Sequence, residues 1–162
     1  MTIKLRIVLD HNLDVFRELK ISENATLHDL HELLVQSFEL EQNEMAAFYL
    51  TDNDWEQGQE IPLFAMQNDT KEMKDIFSKD IFQSNKRLLY INNFLIMWRF
   101  MIEVIEINKD ETIQQSQVLL SFGTMPQELP RIQFVSDTNS SDEDLFDNDY
   151  DEFSEFENYE EY

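Results

Sequence analysis

At the start of the chain Ile3, Leu5, Ile7 and Leu9 alternate with Thr2, Lys4 and Arg6, the period-two pattern of a strand with one buried face. Residues 11–14 read as a turn, and Val15, Leu19 and Ile21 then continue on one side, so the two runs predict a hairpin. The period changes next. Leu27, Leu30, Leu34 and Phe38 recur at spacings of three, four and four, which aligns them along one face of a helix. Thr26 supplies an N-cap and Asp29, three residues on, the second half of a capping box. This helix is expected to lie across the apolar side of the hairpin.

Shorter signals follow. Residues 47–50 read as a third strand, and residues 61–63 as an edge strand, because Pro62 has no N–H to give a neighbour. Thr70 is read as the cap of a short helix carrying Met73, Ile76 and Phe77. Residues 87–91 and 97–107 predict two further strands, rich in aromatic and β-branched side chains, and Gln117–Phe122 a last one. Gly123, Pro126 and Pro130 punctuate the exit. The order predicts an α+β domain over residues 1–135, a β-grasp-like mixed sheet with one main helix and appended C-terminal strands.

Charge changes the picture at one end. The net charge is −22, and residues 136–162 hold twelve of the 34 acids and no Lys or Arg, leaving 22 acids against 12 bases in the rest. Such a surface repels phosphate backbones and anionic lipid, which argues against direct nucleic-acid or membrane-surface binding and is compatible with a basic protein partner. The longest apolar stretch, residues 88–107, is interrupted by Asn92, Asn93, Arg99 and Glu103, which suits buried strands better than a membrane span. Without cysteine there is no disulfide, thiolate nucleophile or sulfur-ligated metal. The alternating N-terminus is unlike a signal peptide, and a cytoplasmic location is expected.

Specific residues resemble a known family. The run Thr26-Leu27-His28-Asp29-Leu30-His31-Glu32-Leu33-Leu34 with Phe38, then Phe48-Tyr49-Leu50, then Trp55-Glu56-Gln57-Gly58-Gln59-Glu60-Ile61, resembles the plasmid pRiA4b ORF-three-like family, also called element-passenger TnpR-family proteins. Lys86-Arg87-Leu88-Leu89-Tyr90, Phe94, Trp98 and Gly123-Thr124-Met125-Pro126-Gln127 extend the likeness over roughly residues 1–127. The resemblance implies a small α+β domain associated with plasmids or mobile elements, and no established activity. Family members carry Asp-Phe-Gly-Asp followed by Trp and His after the Tyr-rich strand. Here Asn93, Phe94, Leu95 and Ile96 stand in its place, followed by Trp98 and Phe100. The ionisable members have become neutral or apolar, so only a packing role for Phe94 and Trp98 carries over.

Candidate chemistry is sparse. His28 and His31 at i and i+3 have the spacing to share a metal, but no third ligand is near in sequence, and both are read as the solvated flank of the helix. Asp52, Asp54 and Glu56 invite a calcium reading. Counting from Asp52, Gly58 falls at position 7 and Leu63 at position 12, so the EF-hand pattern fails. Trp55 reads first as a cap folding onto the sheet edge and secondarily as a partner contact. With only Gly58 and Gly123, no phosphate-cradling loop exists, and there is no nucleophile elbow. No cofactor or metal is expected, and the protein reads as a non-enzyme. The alternative, a small enzyme using carboxylates, predicts a concave pocket holding a strongly perturbed carboxylate or histidine.

Residues 136–162 are too charged and too poor in aliphatics to fold alone, so a disordered tail is expected. Phe146, Tyr150, Phe153, Phe156, Tyr159 and Tyr162 recur through it at spacings of four and then three. Three readings compete: a solubiliser, an aromatic-anchored ligand steered by carboxylates to a basic partner, and an acidic nucleic-acid mimic that blocks a DNA-binding protein. The leading expectation is the second, with Phe146, Tyr150, Phe153, Phe156 and Tyr159 as partner-binding residues.

Overall fold

In the computed structural model, which describes residues 1–127, the two alternating runs form β1 (Thr2–Leu9) and β2 (Phe16–Ser22). They pair antiparallel, with Ile3 opposite Ile21 and Leu5 opposite Leu19. The helix α1 (Leu27–Ser37) starts at the expected cap. Asp29 N–H donates to the Thr26 hydroxyl at 3.1 Å, and Thr26 N–H donates to the Asp29 carboxylate at 2.9 Å. Those two bonds satisfy donors that a helix start leaves open. Along the chain follow β3 (Ala46–Leu50), β4 (Glu60–Pro62), a 3-10 turn (Met73–Asp75), α2 (Ser78–Ser84), β5 (Arg87–Asn92), β6 (Trp98–Asn108) and β7 (Gln117–Phe122).

The seven strands make one sheet in the order β4-β3-β5-β6-β1-β2-β7, and every neighbouring pair is antiparallel. The expected mixed, β-grasp-like sheet is therefore corrected: β6 lies between β5 and β1 and pairs with both. A short connection joins β5 to β6, with Asn93 (φ 62°) and Met97 (φ 64°) in the left-handed region, and a reversal that tight makes the two a hairpin. The other edge of β6 then pairs with β1, also antiparallel, with Ile3 opposite Ile107 and Ile7 opposite Ile102. Pro62 does sit in an edge strand, β4, which spans only three residues.

The Thr70 cap is also corrected. Glu72 occupies the cap of the 3-10 turn, with its N–H bonded to the Asp75 carboxylate at 3.0 Å. Phe77 stands at the N-cap of α2 with its ring exposed, while Ile81 and Phe82 bury instead.

Both helices cover one face of the sheet. There Ile3, Leu5, Ile7 and Leu19 meet Leu30, Leu34, Phe38 and Phe82 in the main core. On the opposite face Ala47, Tyr49, Leu89 and Ile91 form a smaller cluster, over which Trp55 folds. Among the described residues no helix is long and apolar enough to cross a membrane. The acidic segment 136–162, with Phe146, Tyr150, Phe153, Phe156, Tyr159 and Tyr162, lies outside the described residues.

An acid-walled cleft over a buried histidine

Between α1, the loop that follows it and the chain just past β4 lies a cleft of about 430 Å³. The solvated-flank expectation holds for His28 but not for His31, which is 8% exposed. The reason is periodic. His31 lies four residues after Leu27 and three before Leu34, inside the arc that α1 buries. Its ring therefore points at the sheet, where Tyr90 of β5 stands between Phe48 and Phe100.

Three polar groups link up at this point. Asn92 Nδ2 donates to Tyr90 Oη at 3.0 Å, and Tyr90 Oη lies 2.7 Å from His31 Nδ1. The Oη–Nδ1 contact fits a phenol that donates to Nδ1, an arrangement that leaves the ring proton on Nε2, the nitrogen with no hydrogen-bond partner among the described residues. Burial, reinforced by neighbouring His28, pushes His31 down to about 4. Burial likewise raises the Tyr90 phenol far above its ordinary range. At neutral pH the cleft floor is thus an uncharged N–H donor held by a buried relay.

The walls are acidic. Glu32, Glu41 and Glu44 line the cleft together with Val35, Met45 and Phe64, and no Lys or Arg does. Glu41 and Glu44 belong to the α1–β3 loop, where Glu39 (φ 55°) and Asn43 (φ 66°) adopt left-handed backbone. Neither Glu41 nor Glu44 makes an ion pair among the described residues. The sequence carries a signal for this wall. Residues 21–70 hold eleven acids and no Lys or Arg, and all twelve lining residues fall within that block.

The two histidines do not converge on a shared ion. His31 is not part of the cluster of described residues whose ligand atoms approach one another, and its Nδ1 contacts Tyr90. His28, Asp29 and Glu32 can bring ligand atoms within 4.8 Å of one another, but the Asp29 carboxylate is already used in the helix cap.

Trp55 is far from this cleft's lining. It packs over the sheet's other face, at φ 60°, with the Arg87 guanidinium 4.9 Å above its ring. Arg99 donates to its carbonyl at 2.7 Å, and Arg87 donates to the Asn53 carbonyl at 2.9 Å. Two arginines therefore fix the Trp55 loop on a sheet face rather than at the edge. Its carboxylates Asp52, Asp54 and Glu56 line neither the cleft nor the metal-ligand cluster described above.

A family model described as plasmid pRiA4b ORF-3-like protein matches residues 1–130. The chain belongs to that family. A solved neighbour in fold is a protein of unknown function from Methanosarcina mazei Go1, with a TM-score of 0.61 and 18% identity. The alignment covers 74% of this chain and 68% of that one, and at such identity it speaks to the fold alone. No curated protein matches the chain.

The segment expected from the resemblance to depart from the family pattern forms the β5–β6 turn. Asn93 Oδ1 accepts N–H bonds from Leu95 at 3.1 Å and Ile96 at 3.2 Å, so the side chain closes the turn. Trp98 packs against the core and Phe100 is buried. Phe94 does not fill the packing role expected of it; it is 41% exposed, because the left-handed Asn93 turns the chain outward first.

Proposed function

We propose that this protein is a non-enzymatic interaction protein that engages a basic protein partner through its acidic surface. The observation that carries the reading is the neutral His31 donor at the floor of a cleft whose charged walls are all carboxylate. A perturbed histidine in a cleft also meets the condition set by the enzyme alternative, so the direction of the perturbation matters. A general acid or base works best when its pKa lies near the operating pH. His31 at about 4 and a Tyr90 phenol raised by burial are both held away from that range. They suit recognition by hydrogen bonding better than proton transfer.

The segment 136–162 extends the same charge, and its aromatics Phe146, Tyr150, Phe153, Phe156 and Tyr159 are proposed as a second contact with the same partner. Fluorescence anisotropy with a labelled Lys- and Arg-rich peptide tests both parts. The full chain is expected to bind it, more weakly as ionic strength rises through about 0.15 M, and to bind neither an oligoglutamate peptide nor duplex DNA. Replacing the five tail aromatics with Ser is expected to weaken binding. An unchanged affinity would remove the tail from the site. Equal binding of basic and acidic peptides would remove the charge argument altogether.

A further inference from the structure

We propose that the cleft takes a single arginine side chain from an extended segment, with the segment's backbone carbonyl accepting from His31 Nε2 and its guanidinium held by Glu41 and Glu44. This rests on the reading of the protein as a receptor for a basic partner and names what the cleft itself recognises.

Four features select that ligand. His31 is nine-tenths buried and lines the cleft, and its Nε2 has no partner among the described residues. That nitrogen is not among the buried side-chain atoms left without a partner, so it is open to the cleft, where a ligand's carbonyl can accept from it. A carbonyl is what an extended peptide backbone offers at every residue. Next, Glu41 and Glu44 lack a counter-charge among the described residues, so a cation entering there is drawn by both. Third, Val35, Met45 and Leu63 give the cleft an apolar wall, against which a three-carbon stem can lie.

The fourth feature favours arginine over lysine. Phe64 leaves 59% of its surface exposed at the cleft, a flat face for a planar guanidinium to stack on. Gln36, Gln42 and Asn43 also line the cleft, and a side-chain amide can offer its carbonyl oxygen to a group with five donors. An ammonium has only three donors and no plane to stack. A divalent cation is a poorer occupant, because the neutral Nε2–H presents a proton where a metal needs a lone pair.

The test is an NMR titration of the 15N-labelled full-length chain with acetyl-Gly-Arg-Gly-amide and with its lysine and citrulline counterparts. Citrulline keeps the shape of arginine and removes the charge. The arginine peptide is expected to bind with a dissociation constant on the order of 1 mM or tighter. It should shift the His31 Nε2–H resonance together with Val35 and Leu63. Lysine should bind a few-fold more weakly and citrulline about tenfold more weakly. The double variant E41Q/E44Q, altered only on the loop surface, should lose about fivefold for the arginine peptide. Citrulline binding as tightly as arginine overturns the proposal. Binding that leaves His31 unshifted overturns the cleft assignment while the basic-partner reading stands, and failure of every basic peptide to bind overturns both.

Discussion

Replacing Arg17 with Ala lowers the stability of the protein by about 3 kcal/mol, a drop of roughly 10 °C in melting temperature. Arg17 is 5% exposed, on the core side of β2, and no carboxylate forms a salt bridge with it among the described residues. Carbonyls take that place. Arg17 Nε donates to the Ser37 carbonyl at 2.8 Å, and Nη1 donates to the carbonyls of Phe16, Phe122 and Gly123 at 2.8, 2.9 and 3.0 Å. Ser37 ends α1, where a helix leaves carbonyls without internal partners and where a cation is favoured. The guanidinium also lies 4.6 Å from the Phe38 ring. One side chain thus ties the end of α1 to β2 and to the end of β7.

Gly123 keeps its carbonyl in reach by turning at φ 74°, where an added Cβ would collide with the Asp14 carbonyl. Removing Arg17 takes the donor from four part-buried carbonyl contacts at once, and hydrogen bonds from a charged donor are worth about 1.5–3 kcal/mol each. Lysine keeps the charge but not the fork, so R17K is expected to recover only part of the loss. Denaturant unfolding measures both variants. A loss below about 1 kcal/mol for R17A would mean that water replaces the fork, and the anchoring role would fall.

The second large effect is on pH. His31 is held at about 4, below the ordinary 6.5, mainly because burial penalises its charged form. Between those two values the unfolded chain binds a proton that the native chain does not, so stability falls as pH drops from about 6.5 towards 4. Allowing for solvent screening at the cleft mouth, the loss is on the order of 2 kcal/mol across that window. The variant H31Q carries no titrating ring and should show a flatter dependence between pH 6.5 and 5, above the range where exposed carboxylates titrate. An identical slope in the two proteins would show that His31 is not the group responsible.

Much of the fold is legible in the sequence because its signals are local. The β1–β2 alternation, the Thr26–Asp29 capping box and the spacing of Leu27, Leu30, Leu34 and Phe38 all act within a few residues, and each is realised. What depends on partners far along the chain is harder to read. The strand order hangs on β6 choosing β1 as well as β5, which no local pattern encodes. Arg17 shares the parity of Val15, Leu19 and Ile21 and so points inward, yet its charge hides that role until the acceptors at Ser37, Phe122 and Gly123 are in view.

The site follows the same division. His31 falls on the buried arc of α1 by spacing alone, but the partner that makes its burial tolerable, Tyr90, is 59 residues away. Tyr90 in turn reads from sequence as one more aromatic residue in a strand. The acid wall is visible as a block without Lys or Arg, but only folding brings Glu32, Glu41 and Glu44 around a common cavity.

The measurement that bears most directly on this account is the tautomer and titration of His31, read from long-range 15N–1H correlations of the imidazole across pH 3.5 to 8. The account predicts an Nε2–H tautomer at neutral pH and a midpoint near 4. A proton on Nδ1, or a midpoint at the ordinary 6.5, would contradict it, because the cleft floor would then not be the fixed neutral donor on which both the binding and the pH dependence rest.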